Sequence, residues 1–273
     1  MKKPSIKFHR GYLAFPYMAV SVIFVIIPLI LILIYAFTDR NGGFSLENFT
    51  RLGDSGIWIT MARSLIIAFL TTVICLALAY PTALALTKIK ASRRTVLLLV
   101  FIMPMWINSL LRIYAVKLFF GDVVGIERGF FLTLVGMVYD FFPFMLLPIY
   151  TILTDMDKGV LEASADLGAS PIETFIKVRL PLSVPGIVSG VLMVFMPTVS
   201  SFAVYDILGK DGGNAAFMDG KLFGNIVYTY FEKGYYNSGS ALALVLLVLI
   251  LLSTVISNLI TRGKSVNKGG TIA

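Results

Sequence analysis

The sequence contains few charged residues, a single cysteine and a single histidine. Charged side chains make up 14% of its 273 residues, whereas hydrophobic side chains make up 58%. This composition excludes an ordinary soluble domain, whose surface needs more charge. Cys75 and His9 are the single cysteine and the single histidine. An internal disulfide, a cysteine–histidine metal site and a cysteine–histidine catalytic pair are therefore excluded.

Two enzyme signatures are also missing. The sequence has no G-x-S-x-G motif, which presents the nucleophile of many serine hydrolases, so an intramembrane hydrolase is disfavoured. It has no G-x-x-x-x-G-K-[ST] motif, the loop that holds the phosphates of ATP in many ATPases. We therefore expect this chain not to be an enzyme, and we expect any ATP it depends on to be bound by another chain.

Long apolar runs are what the chain does contain. At about 20 apolar residues per crossing, the sequence predicts six membrane spans, near residues 12–37, 65–86, 96–118, 132–153, 184–207 and 241–260. The predicted fold class is an all-α, polytopic membrane protein, with residues 1–273 forming a single transmembrane domain. The first run is too long for the apolar part of a signal peptide and lacks a small-residue cleavage site, so we expect it to remain as the first helix.

The basic residues predict the orientation of these spans. The net charge is +8, and most Lys and Arg residues lie near the two termini and in every second loop. The positive-inside rule places such segments in the cytoplasm. We therefore expect both termini and the loop at residues 155–183 to be cytoplasmic. A basic inner face also explains the net charge without a nucleic-acid partner.

One polar segment, Glu162–Pro181, lies between the predicted fourth and fifth spans and reads EASADLGASPIETFIKVRLP. Gly168 can take the left-handed conformation that ends a helix. Ser170 and Glu173 match a capping box, with Pro171 at the first helical position. The segment therefore predicts two short helices joined by a bend, and we call it the elbow.

Prolines predict where the elbow ends. We expect Pro181 and Pro185 to stop its second helix and to begin the fifth membrane span. A rigid, bent, polar segment at the membrane surface suits docking to another protein. The alternative is an amphipathic loop that only caps a helix bundle.

Polar residues within three predicted spans are candidates for a transport pathway. The third predicted span is interrupted: Pro104 predicts a kink at mid-membrane, and Asn108 and Arg112 lie one turn apart beyond it. The fourth span contains Asp140, a carboxylate that would cost about 3 kcal/mol at the membrane centre. The fifth span continues past Pro197 into small polar residues, which suit a pore-lining half-helix. The complete candidate set is Trp106, Asn108, Arg112, Tyr114, Asp140, Ser200, Ser201, Tyr205 and Asp206.

These candidates have alternative roles. Asn108 could form a hydrogen bond between helices while Arg112 extends toward the membrane surface. Asp140 could contact a cation in transit, or it could pair with Arg112 or with a tyrosine across the bundle. Asp206 could bind substrate or lie at the membrane interface. The sequence leaves each of these alternatives open.

The elbow resembles the cytoplasmic loop of ABC-importer permeases, whose pattern is E-A-A-x3-G-x9-I-x-L-P. The residues that match are Glu162, Ala163, Gly168, Leu180 and Pro181, whereas Ser164 and Val178 replace the usual Ala and Ile. The resemblance implies an ABC-importer permease (MetI-like) fold, in which this loop is the coupling helix seated in a groove of an ATPase subunit. Glu162 and Asp166, one turn apart, would then meet basic residues of the ATPase.

A second stretch narrows the family. MPMWINSLLRIYAVK, residues 103–117, is similar to a third-helix segment of spermidine/putrescine importer permeases, and the similarity continues through residues 143–170. The resemblance extends over about residues 46–260 and is closer to the first of that system's two permease chains, although residues 209–221 depart from it.

The narrower resemblance implies a polyamine importer of the bacterial inner membrane. Its expected partners are a cytoplasmic ATPase dimer, a second permease subunit, an extracytoplasmic binding protein and the polyamine substrate. ATP and Mg would bind to the ATPase rather than to this chain. An importer for another small solute and a secondary transporter remain the alternatives.

Overall fold

The structure is a computed structural model that describes residues 15–39, 42–210 and 220–262. These described residues are helical apart from loops and one isolated antiparallel bridge between Thr38 and Phe44. The chain divides by its contacts into two compact units, Met1–Asp54 with Val227–Leu247 and Ser55–Ile226 with Val248–Ala273. The predicted single domain stays a prediction. Apart from Arg262, the basic residues at both termini lie outside the described residues, as does most of the divergent segment 209–221.

The helices follow the apolar runs of the sequence. In chain order they are α1 Pro16–Ala36, α2 Ser55–Thr87, α3 Ala91–Ile102, α4 Ser109–Val116, α5 Phe130–Thr154, α6 Lys158–Asp166, α7 Pro171–Ser200, α8 Ala203–Leu208, α9 Phe223–Glu232 and α10 Tyr236–Arg262. Short 3-10 helices cover Glu47–Gly53 and Met103–Trp106, and a π-helical turn at Lys117–Val123 follows α4.

Among the described residues, five helices are long and apolar enough to cross a membrane: α1, α2, α5, α7 and the Tyr236–Val255 part of α10. A sixth span results if the segments around α3 and α4 count as one bent crossing. The predicted all-α fold is therefore confirmed. The second span begins at Ser55, earlier than the predicted residue 65, because Arg63 is accommodated inside the helix: its guanidinium donates to the Lys221 carbonyl at 2.9 Å.

The third span is interrupted, as the sequence predicted, but the break is sharper than a kink at Pro104. The chain bends by 100° between Trp106 and Ser109. Pro104 lies in the 3-10 turn before the bend, whereas Ile107 and Asn108 have extended backbones and form the break. Asn108 then starts α4, because its side chain accepts a hydrogen bond from the Leu110 amide at 2.9 Å.

The prediction that prolines end the second helix of the elbow is wrong. Pro181 and Pro185 both lie inside α7, which continues to Ser200. A π-helical turn at Phe175–Arg179 precedes them, and this wider turn accommodates proline rings that donate no hydrogen bond. The predicted fifth span, 184–207, is consequently displaced: its helix is continuous with the elbow and ends at Ser200.

The core of the larger unit is formed by α2, α5 and α7. Glycine allows α7 to approach α5 closely: a side-chain carbon at Gly186 would lie 2.8 Å from the Pro148 carbonyl oxygen. One at Gly190 would lie 2.7 Å from the Met145 sulfur. The two glycines form a G-x-x-x-G pattern, which brings membrane helices into backbone contact. Sequence analysis did not single out this pattern.

The beginning of the membrane part of α7 is attached to α2. The Tyr80 hydroxyl lies 3.0 Å from the fully buried Ser183 hydroxyl, and Ser183 donates to the Leu180 carbonyl at 2.8 Å. The Tyr80 ring also lies edge-on to Phe175, with ring centroids 5.8 Å apart. These contacts hold α7 against the core directly after the elbow.

In the smaller unit, side-chain amides close the loop after α1. Asn48 donates to the carbonyls of Ala36 and Thr38 at 3.1 and 2.9 Å, and Asn237 donates to the Thr38 carbonyl as well. Phe37 packs against Phe49 with ring centroids 5.0 Å apart. The loop therefore has a defined conformation of its own.

Candidate functional site

The first arm of the elbow, α6, ends in a fully hydrogen-bonded turn. Gly168 has a φ of +79°, the left-handed conformation that favours glycine. Its amide donates to the Ala165 carbonyl at 2.9 Å, and the Ala169 amide donates to the Ser164 carbonyl at 3.1 Å. This pair of bonds is a Schellman motif. The prediction that Gly168 ends a helix is confirmed.

A capping box begins the second arm. The Ser170 hydroxyl accepts from the Glu173 amide at 3.3 Å, and the Glu173 carboxylate accepts from the Ser170 amide at 3.0 Å. Pro171 occupies the start of the helix, as predicted. Lys177 donates to the Glu173 carboxylate at 3.2 Å one turn later, although both side chains are exposed. The bend is therefore set by hydrogen bonds on both sides of it.

A hydrogen bond between side chains joins the two arms. The hydroxyls of Ser164 and Thr174 lie 3.0 Å apart, and both side chains are half-buried. Ser164 is the position at which this chain departs from the usual Ala of the permease pattern. The serine at this position was the only hint of the bond in the sequence. Its partner, Thr174, is ten residues away and is brought next to it by the folding of the elbow.

The elbow presents apolar side chains to solvent. Leu167 is 89% exposed and Ile172 is 71% exposed, one on each side of the turn. Together with a cavity of about 680 Å³ between the arms, they form a surface typical of protein contacts. Neither residue was among the predicted docking residues. Of the predicted docking residues, the exposed ones are Glu162, Ala163, Asp166, Gly168 and Pro181, and the half-buried ones are Ser164 and Leu180.

A buried ion pair joins the broken span to α5. An Arg112 guanidinium nitrogen lies 2.7 Å from an Asp140 carboxylate oxygen, and the two side chains are 6% and 9% exposed. Of the alternatives left open for Asp140, the structure shows the pairing with Arg112. Whether either group ever contacts a substrate stays a prediction.

A second break follows α7. The helix ends at Ser200, whose hydroxyl donates to the carbonyls of Met196 and Pro197 at 3.3 and 3.2 Å, and α8 begins after Ser201 and Phe202. α9 packs tightly on this break, because a side-chain carbon at Gly224 would collide with the Ser200 carbonyl oxygen. The predicted half-helix after Pro197 thus corresponds to α8, separated from α7.

Polar contacts hold α8 in place. Asn225 of α9 donates to the Phe202 carbonyl at 2.8 Å and to the Asp206 carboxylate. Arg128 donates to the Asp206 carbonyl at 3.1 Å, while the buried Tyr205 donates to the Lys210 carbonyl at 2.6 Å. Asp206 itself is exposed. Asn225 was missed as a site residue, although it lies in a stretch that resembles the permeases.

The structure brings some of the predicted pathway residues together and separates others. α8, which carries Tyr205 and Asp206, packs against both α4 and α5. α8 therefore packs on the two helices that the Arg112 ion pair joins. Trp106 is 74% exposed, and Tyr114 is also exposed, on the outer surface of the bent segment. Their predicted pathway role stays a prediction.

Within the described residues, no group of three or more metal-ligating side chains is present. An exposed apolar surface lies at one end of α7, and a second helix break lies at its other end. Such an arrangement can transmit motion along a helix, and its polar breaks can line a path for a solute.

Comparisons with known proteins agree with this arrangement. Residues 76–266 match the family model described as binding-protein-dependent transport system inner membrane component. The chain is 37% identical over 211 residues to the spermidine/putrescine transport system permease protein PotB of Escherichia coli (strain K12), covering 69% of this chain and 76% of that protein. It is 34% identical over 254 residues to PotB of Haemophilus influenzae, covering 85% and 86% of the two chains.

A solved structure shares the fold. A bacterial ABC transporter involved in the import of the acidic polysaccharide alginate superposes with a TM-score of 0.74 at 15% sequence identity. The superposition covers 94% of this chain and 96% of that one. The predicted importer-permease fold is thereby confirmed. The chain belongs to the family of inner membrane components of binding-protein-dependent transport systems.

Proposed function

We propose that this chain is a permease subunit of an ATP-driven importer for polyamines such as spermidine and putrescine. The 37% identity to a spermidine/putrescine permease over 211 residues carries the choice of substrate. The preformed elbow supports the choice of mechanism, because its turn, its capping box and its exposed Leu167 and Ile172 make a rigid docking surface.

The chain itself is non-catalytic in this proposal. Two ATPase subunits bind ATP and Mg and close against each other, and their closure moves the elbow. Leu167 and Ile172 seat in the ATPase, while Glu162 and Asp166 meet its basic residues. An almost complete shift changes the ratio of the two conformational states from about 1:99 to about 99:1. ATPase closure must then favour the second state by about 5.5 kcal/mol.

The pathway lies between this chain and a second permease subunit. An extracytoplasmic binding protein delivers the polyamine to the outer side. The break around Ser200 and Ser201 and the exposed carboxylate of Asp206 suit a cationic solute, because a helix C-terminus and a carboxylate both attract positive charge. The chain lies in the bacterial inner membrane with its elbow and both termini in the cytoplasm, in accord with its basic residues.

Reconstitution tests the proposal. The chain is co-purified with its ATPase and second permease, placed in proteoliposomes and supplied with the binding protein and ATP. Radiolabelled spermidine and putrescine should enter, whereas an amino acid should not. Uptake that persists without the ATPase would indicate a secondary transporter. ATP-dependent uptake of another solute, with no polyamine uptake, would reject the proposed substrate and support the proposed mechanism.

A further inference from the structure

The elbow is mechanically continuous with the membrane core. α7 begins at Pro171 inside the elbow and continues through the π-helical turn at Phe175–Arg179 to Ser200. A helix of this length moves largely as one body, so a displacement of the elbow reaches the middle of the membrane. This inference rests on the proposed function, which makes the elbow the point where the ATPase acts.

α7 is in close contact with α5. At Gly186 the approach leaves no space for a side-chain carbon, since the nearest atom would be the Pro148 backbone oxygen at 2.8 Å. Backbone atoms cannot move aside as the end of a side chain can. A displacement of α7 therefore carries α5 with it.

α5 in turn holds the broken span through Asp140. Asp140 lies on α5, and its carboxylate is 2.7 Å from the Arg112 guanidinium on α4. A second guanidinium nitrogen of Arg112 points to the Asp140 carbonyl at 3.5 Å. Both side chains are buried, so little water screens their attraction.

The backbone does not fix the orientation of α4. Ile107 and Asn108 are extended, and the chain turns by 100° there, so the preceding helix cannot impose its direction on α4. α4 continues at its other end into the π-helical turn at Lys117–Val123, and its Leu111 is 64% exposed. Side-chain contacts therefore decide how closely α4 follows α5, and among the described residues the Arg112–Asp140 pair is the ion pair between these two helices.

We propose that Arg112 and Asp140 form a clamp that makes α4 move with α5, so that motion of the elbow reaches the substrate pathway. Both are positioning residues, and neither is a substrate ligand. The order of transmission is elbow, α7, α5, the ion pair and α4. α8, which packs on α4 and α5, is moved at the same step.

Uptake and hydrolysis test the clamp in the reconstituted complex. Arg112→Gln and Asp140→Asn should lower polyamine uptake by about tenfold or more while ATP hydrolysis stimulated by the binding protein stays within about twofold. The exchange of both residues, Arg112→Asp with Asp140→Arg, should restore much of the uptake. Arg112→Lys keeps the charge and serves as the conservative control, which should retain most activity.

These measurements can overturn the clamp in two ways. Normal uptake by either neutral variant would show that the pair is not required. An exchange variant that assembles and hydrolyses ATP but transports no better than the single variants would show that Asp140 is needed as a carboxylate at its own position. Absence of uptake by the unaltered complex would instead reject the proposed function.

A distance measurement separates the clamp from a structural role. Spin labels are placed at Leu111→Cys on α4 and Tyr139→Cys on α5, both exposed positions, with the buried Cys75 replaced by Ala. The distance between the labels should stay constant between the nucleotide-free and the ATP-trapped complex. With Arg112→Gln added, it should change between the two states. A constant distance in both proteins, or a changing distance with Arg112 intact, would overturn the clamp.

Discussion

At the scale of single residues, Gly168 combines a backbone requirement with an exposed position. Its φ of +79° costs other residues about 1–2 kcal/mol, and nothing lies within 4 Å of an added side-chain carbon. A substitution there therefore leaves the packing of the fold intact and changes the surface of the elbow. The turn is where a partner that seats between Leu167 and Ile172 must approach closely.

Gly168→Asp is expected to leave the chain folded but to abolish uptake and substrate-stimulated ATP hydrolysis, because a bulky carboxylate would lie at the docking surface. Uptake into proteoliposomes and phosphate release measure the two effects. Gly125→Asp is the matched control, since Gly125 has a φ of +82° and is equally unobstructed. Equal losses in both variants would assign the defect to backbone strain rather than to docking.

The bond between Ser164 and Thr174 has a smaller expected effect. Removing it by Ser164→Ala should cost about 0.5–1.5 kcal/mol of the elbow's preorganisation, which weakens ATPase binding by about two- to tenfold. The affinity of the purified ATPase for the permease pair measures this change. Thr174→Val should have the same effect, and the double variant should be no worse than either single one. Additive losses would show that the two hydroxyls act separately.

Asp140 shows the limit of residue-level reasoning. A carboxylate in an apolar run must have a partner or a function, and the sequence left both possibilities open. The partner, Arg112, lies on a different helix and becomes adjacent only through folding.

At the scale of elements, glycines decide how closely α7 packs on α5. Gly186 faces the Pro148 backbone oxygen, which cannot move without distorting α5, whereas Gly190 faces first the flexible Met145 side chain. Gly190 should therefore tolerate a larger side chain better than Gly186, although both belong to one G-x-x-x-G pattern.

Gly186→Ala should destabilise the protein by about 1–3 kcal/mol, the usual range for overpacking a core, and Gly190→Ala should cost less. Thermal unfolding in detergent, followed by the loss of helical signal, gives the comparison. Each variant is the other's control, because both replace glycine by alanine inside one helix. A larger loss at Gly190 would contradict the packing described for α7.

Helix breaks were the least predictable elements. Pro104 was expected to kink the third span, yet the break lies at Ile107 and Asn108, where Asn108 caps the next helix. Pro181 was expected to end a helix, yet it lies within one, after a π-helical turn. A proline removes one backbone hydrogen bond, and the neighbouring packing decides whether the helix continues.

At the scale of the whole molecule, the orientation of the larger unit remains a prediction from its basic residues. Leu167 and Val123 are both strongly exposed and lie in segments predicted on opposite sides of the membrane, and Cys75 is fully buried. These positions allow a direct test of which side the elbow faces.

With Cys75 replaced by Ala, a cysteine at Leu167 should be protected from a membrane-impermeant maleimide in intact spheroplasts and should react in inverted vesicles. A cysteine at Val123 should show the opposite pattern. Both should react in detergent, which controls for accessibility. Labelling of Leu167→Cys from the outside would place the elbow where no cytoplasmic ATPase could bind it.

The class of protein and the local geometry of the elbow follow from the amino-acid sequence alone. Apolar runs of sufficient length specify membrane helices, and the Gly168 turn and the Ser170 capping box depend on residues only a few positions apart. The tertiary structure decided what depends on distant residues: the partner of Asp140, the contact of Gly186 with Pro148 and the continuity of α7. These features depend on which helices meet and at what depth, and the energies of close packing and of buried charge act only once they have met.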